Sequence, residues 1–189
     1  MNNAALFGGA IVAPVPKTFV DASQFRQIPD NQEVFVDMNT QQSLIFELLE
    51  EVDAHKNEIP KFHFQQLAED NEATDATVIS IEKLQPESVS STISSERTEI
   101  YILQGEQKIA KFNEEGACNT VEIFLAVVRL TQVATDFVIS INAPVSLAPG
   151  SSEQKSINQS NSVTNIATVK QEIKAIVEGL QIKDWGLFQ

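Results

Sequence analysis

One cysteine, Cys118, is all that this 189-residue chain holds, so no internal disulfide can form and a four-thiolate zinc site cannot be built. A reducing compartment is the expectation. Cations are scarce too: 13 Lys and Arg stand against 26 Asp and Glu, and a formal net charge of -13 repels phosphate backbones and anionic lipid surfaces alike. Neither nucleic acid nor a membrane is an expected partner. Long apolar runs are missing as well. The opening stretch MNNAALFGGAIVAP has no basic flank and is broken by two glycines and a proline, and nothing later approaches membrane-spanning length. The chain reads as soluble and intracellular, and 42% hydrophobic residues at a mean hydropathy of -0.10 suffice for the core of one domain.

The usual signatures of catalysis are also lacking. Gly8-Gly9 has no following Lys-Ser/Thr pair and leads into an extended segment, so it is not a phosphate loop. His55 and His63 fall on separate segments without a second metal ligand at a recognised spacing. Cys118 precedes an apolar strand with no nucleophile motif around it and reads as a buried or incidental thiol. Residues 88–95 are rich in serine, but none sits in a Gly-x-Ser-x-Gly elbow. No cofactor or metal is expected. A hydrolase would need a pocket that gathers His63 or Cys118 with carboxylates.

What is present is an alternation of strand-like and helix-like segments. Residues 7–15 read as one extended segment ending at Pro14 and Pro16, and residues 18–27 as a turn or short helix opening at Asp21 or Ser23. Residues 33–37 form a short strand. Leu44, Ile45, Leu48, Leu49 and Val52 fall at the spacing of one helical face, with Thr40 or Ser43 as the cap. A second helix is expected over residues 58–70, its apolar face holding Ile59, Phe62 and Leu67. Residues 78–84 alternate as a strand, and residues 99–110 are either a hairpin or one strand with a bulge at Gly105. Residues 121–130 are apolar at both parities, the pattern of a central strand covered on both faces, and residues 137–141 follow too closely for anything but antiparallel pairing.

Residues 146–162 are rich in Ser, Asn and Gln and read as a flexible polar excursion. Ile166, Val169, Ile173, Ile176, Val177 and Leu180 then repeat at helical spacing, with Gly179 at the C-cap. Trp185, Leu187 and Phe188 are expected to anchor the tail in the core. The sum is an α/β (α+β) domain: a mainly antiparallel sheet between helices.

One segment stands apart from scaffolding. In Arg26-Gln27-Ile28-Pro29-Asp30-Asn31-Gln32-Glu33-Val34-Phe35 a proline-stiffened turn leads into a strand and displays Asp30, Asn31, Gln32 and Glu33, with Asp21 just upstream. Asp30 and Glu33 can offer carboxylates to lysine or arginine. On residue chemistry alone this is also ordinary turn composition.

The opening LFGGA, the DAS at residues 21–23, Arg26 and PDNQEVFVD at residues 29–37 resemble, in order and spacing, the Ran guanine nucleotide release factor family, the Mog-type Ran-binding proteins. The likeness continues through QSLI and ELLE in residues 42–50, FHF at residues 62–64 and RLTQVATDFVISINAP at residues 129–144. It weakens in residues 73–99 and in the polar excursion. The resemblance implies a fold like that of the photosystem protein PsbP and a binding role without catalysis. It further implies that Ran is the partner, that nucleotide and particularly GTP is released from it in support of nuclear import, and that a second Ran-binding protein can take part. A nuclear location with a cytoplasmic pool goes with that role. On the same carry-over Asp30 and Glu33 match the acidic Ran-contact positions, with Asp21, Arg26, Asn31 and Gln32 as neighbours. The competing expectation is an adaptor of the same fold that binds another basic protein and leaves nucleotide exchange alone.

Overall fold

The structure is a computed structural model and describes residues 1–93, 96–110, 118–146 and 164–189. Its frame is a seven-stranded sheet, antiparallel throughout, built from β3 (Val20–Asp21), β4 (Gln32–Asp37), β5 (Gln42–Glu50), β6 (Ala73–Leu84), β7 (Thr98–Ala110), β8 (Cys118–Leu130) and β9 (Thr135–Ser146) in the spatial order β3-β4-β5-β9-β8-β7-β6. The expected strand over residues 121–130 lies inside β8, between β7 and β9. β8 and β9 are joined by the tight turn Thr131–Val133, which brings Arg129 opposite Asp136.

Helices cover opposite faces. Helix α1 (Glu58–Asp70) packs on β6, β7 and β8, over Tyr101, Leu103, Ile123, Leu125 and Val127. Helix α2 (Ile166–Gly179) lies on the other face, where Val169, Ile173, Ile176 and Val177 are buried against β8, β9 and a small second sheet. That sheet has the order β1-β2-β10, with β1 (Asn2–Leu6), β2 (Ile11–Val15) and β10 (Gln181–Ile182). α1 leaves the β5–β9 part of its own face uncovered, and this open half-face holds the pocket described below.

Several expectations are corrected. Residues 42–50 form strand β5, not a helix: Leu44 and Phe46 are fully buried toward α2, while Ile45, Glu47 and Leu49 face the other way. Apolar groups at both parities, here needed because both faces are partly covered, also satisfy a helical spacing over so short a run. Residues 7–15 are not one extended segment, since a turn at Phe7–Gly9 with positive φ at all three residues makes β1 and β2 a hairpin. Residues 99–110 lie in one continuous strand, and the bulge is on its partner: Ile79 is the extra residue where Val78 pairs Gly105 and Ser80 pairs Gln104. Gly105 instead admits the Phe64 ring, which a Cβ there would meet at 2.6 Å. Gly179 ends α2 without a left-handed C-cap, and a Cβ on it would collide with the Pro14 ring of β2. Phe62 is 46% exposed; His63 and Phe64 are the residues buried on that turn of α1. Trp185, Leu187 and Phe188 are half-buried and pack against the α2-side core. The polar excursion, apart from its first residue, and the Cys118 side chain lie outside what the structure describes.

Candidate functional site

The turn at residues 29–33 closes with Gln32 N–H donating to Pro29 O at 3.0 Å and then enters β4. Side chains of successive strand residues point to opposite faces, and this divides the predicted group. Asn31 and Gln32 reach to the α1 side, where Asn31 Nδ2 donates to Leu48 O (3.3 Å) and to Glu47 Oε1 (3.4 Å), and Gln32 Nε2 donates to the same Glu47 Oε1 at 2.7 Å. Leu48 N–H returns a bond to Asn31 O at 2.9 Å. Glu33 turns to the α2 side, where its Oε1 accepts from Phe7 N–H at 2.6 Å. The Phe7 ring rests edge-on against Phe137, within a chain of aromatic contacts that runs on through Phe46 to Phe35.

Asp30 is thus the exposed tip of a turn braced from both faces of the sheet, and its carboxylate has no partner among the described residues. Asp21 is elsewhere engaged: it caps the turn Ala22–Gln24 by accepting from Ser23 N–H at 2.8 Å. Arg26 is exposed, and among the described residues it is held only through its backbone N–H, which donates to Ala22 O at 3.1 Å, with Phe25 beside it 70% exposed. The structure therefore brings Asn31 and Gln32 together on Glu47, places Asp30 at the tip, and separates Glu33 from them. Glu47 was not legible as a member, because the residues around it read as helix.

A second polar constellation lies at the end of the same open half-face. Arg129 donates from Nε to Asp136 Oδ1 (2.7 Å) and from Nη2 to Asp136 Oδ2 (2.8 Å), and caps Ala54 O and Val52 O at 2.7 and 2.9 Å. Asp136 Oδ2 also receives Val52 N–H at 3.2 Å and lies 2.9 Å from His63 Nε2. Burial by itself would raise the Asp136 pKa, but hydrogen bonds from Arg129, His63 and Val52 outweigh it and lower it from 3.8 to about 2. This buried clasp ties β8, β9, α1 and the segment after β5 together. The signal for it was a pair of opposite charges, Arg129 and Asp136, seven apart on either side of the tight turn that joins the apolar strands β8 and β9.

His63 lines a pocket of about 270 Å³ between α1 and the open half-face, with Ser140 on its wall and Glu47, Glu50 and Asp70 on its rim. It thus gathers a histidine with carboxylates, as a hydrolase would require. The connections are wrong for nucleophile activation: among the described residues no hydrogen bond joins His63 to Ser140, and both Asp136 oxygens neutralise a buried guanidinium. No group of three or more His, Cys, Asp or Glu suited to a metal ion occurs among the described residues.

Fold and turn together define a class, the α+β recognition sandwich that offers a braced acidic turn. The chain belongs to the Mog1 family: residues 4–144 match the family described as "Ran-interacting Mog1 protein". It is 34% identical to a Danio rerio protein named Ran guanine nucleotide release factor, over 97% of each chain. It is 40% identical to the Schizosaccharomyces pombe nuclear import protein mog1, covering 93% of this chain and 90% of that one. Its fold matches the crystal structure of the Saccharomyces cerevisiae Ran-binding protein Mog1p with a TM-score of 0.73 and 31% identity over all of both chains.

Proposed function

We propose that this chain, acting as a single domain, binds the small GTPase Ran through the turn at residues 29–33 and promotes release of its guanine nucleotide, GTP in particular. Asp30 makes the central contact, Glu33, Asn31 and Gln32 support it, and Asp21 and Arg26 flank it. The observation that carries this reading is the Asp30 carboxylate, without a partner among the described residues, on a turn held rigid by Asn31, Gln32 and Glu33, in a family described by its interaction with Ran. Little conformational entropy is lost when such a turn docks. A net charge of -13 favours a basic partner surface.

No acid or base is needed for the exchange step. A protein that binds nucleotide-free Ran more tightly than loaded Ran weakens nucleotide binding by the same factor, because the two equilibria are linked. The names of the relatives support a role in nuclear import, and the location we propose with it is the nucleus with a cytoplasmic pool. The test is release of fluorescent nucleotide from purified Ran, loaded with GTP or GDP, with and without this protein. Acceleration is expected, larger for GTP; no acceleration of either overturns the reading.

A further inference from the structure

The pocket under Glu47 is left over once the turn and the clasp are accounted for, and its chemistry is specific. Its floor is apolar, formed by Leu49 of β5, Leu125 of β8 and Val138 of β9. Its rim is acidic: Glu50 and Asp70 are exposed and have no partner among the described residues, while Glu47 is fixed in place by Asn31 and Gln32. Asp70 is also the last residue of α1, at the carbonyl end of the helix, where no basic side chain offsets the partial negative charge. Inside, Ser140 is only 4% exposed, lines the pocket, and has no hydrogen-bond partner among the described residues. Its Oγ is not sealed off but faces the pocket, where it can accept a hydrogen bond from a group that enters. Phe62 stands 46% exposed at the lip.

We infer that this pocket receives the side chain of a lysine or arginine from the protein partner. The aliphatic stem lies on Leu49 and Val138, the cation meets Glu47, Glu50 and Asp70, and one of its N–H groups donates to Ser140 Oγ. The volume of about 270 Å³ lies below the roughly 300–1,000 Å³ of small-molecule sites and suits one long side chain. An aliphatic stem laid on apolar side chains with its cation against polar groups is the ordinary behaviour of these side chains. Glu47 makes the pocket continuous with the turn at residues 29–33, so one partner surface covers both. The identity of that partner as Ran rests on the reading above; the pocket's preference does not.

Two readouts separate these claims. Isotope-labelled protein is titrated with Nα-acetyl-lysine methylamide, Nα-acetyl-arginine methylamide and the neutral Nα-acetyl-norleucine methylamide while the amide signals of Leu49, Val138 and Ser140 are followed. Saturable shifts with either cation, weakened by salt, and none with norleucine are expected. No response to the cations, or an equal response to norleucine, overturns the inference. In the second readout, Glu50→Gln with Asp70→Asn lowers affinity for Ran about tenfold, and Ser140→Val lowers it about fivefold while leaving the melting temperature equal or higher. Affinities within twofold of wild type for both variants overturn the inference. Failure of the wild-type protein to bind Ran at all defeats the Ran-binding reading alone, because the titration still decides the pocket.

Discussion

At the scale of residues, the two carboxylates that the sequence sets side by side have different duties. Asp30 bonds to nothing among the described residues, so Asp30→Ala should leave the melting temperature unchanged while weakening Ran binding at least about tenfold, the loss of one charge-assisted contact. Glu33 holds Phe7 N–H at 2.6 Å and so fastens the positive-φ turn of the small sheet to β4. Glu33→Ala should therefore cost about 1–3 kcal/mol in denaturant unfolding, whereas Glu33→Gln, which keeps an acceptor, should cost less. If Glu33→Ala unfolds at the wild-type midpoint, the bond to Phe7 carries no weight. Sequence could name both residues from the turn chemistry of Pro-Asp-Asn and from the family block, but not their separation. That follows from strand parity once β4 starts at Gln32, and from Phe7, which is 26 positions away.

At the scale of elements, the strongly patterned segments were the readable ones. α1 spans the expected residues 58–70, and β8 and β9 pair as the short turn between them requires. β5 was misread because nine residues with apolar groups on both parities fit either period, and only its neighbours β4 and β9 decide the matter. Gly105 shows the same limit: a glycine in a strand signals a bulge or a close approach, and here the approach of Phe64 is the cause. Gly105→Val should push α1 off β7 and destabilise the protein by about 1–3 kcal/mol, as overpacking does, and amide exchange in α1 should quicken. Wild-type exchange rates in that variant would show that the helix does not depend on this contact.

At the scale of the whole molecule, the clasp of Arg129, Asp136 and His63 is where four parts of the chain are held at once. The Asp136 pKa is lowered in the folded protein, so the stability it contributes, about 2 kcal/mol, is present above pH 4 and is lost as pH falls toward 2. Arg129→Leu leaves the Asp136 carboxylate buried without its guanidinium partner, held only by His63 and Val52 N–H among the described residues, and should cost about 3–5 kcal/mol at neutral pH. Its unfolding free energy should also vary less than that of the wild type between pH 5 and about pH 2, measured by urea titration across that range. Equal acid sensitivity in both proteins would mean that other carboxylates dominate. The charge balance anticipated an acidic protein and the pattern of segments a sheet between helices; the open half-face beside α1, which joins the clasp, the pocket and the turn, required knowing where β5 lies.

The most direct test of the account is the rate at which Ran releases fluorescent GTP in the presence of the wild-type protein and of Asp30→Ala at matched concentration, with equal melting temperatures confirmed. The account predicts acceleration by the wild type and a loss of at least about tenfold in the variant's potency. Release just as fast with Asp30→Ala would contradict it.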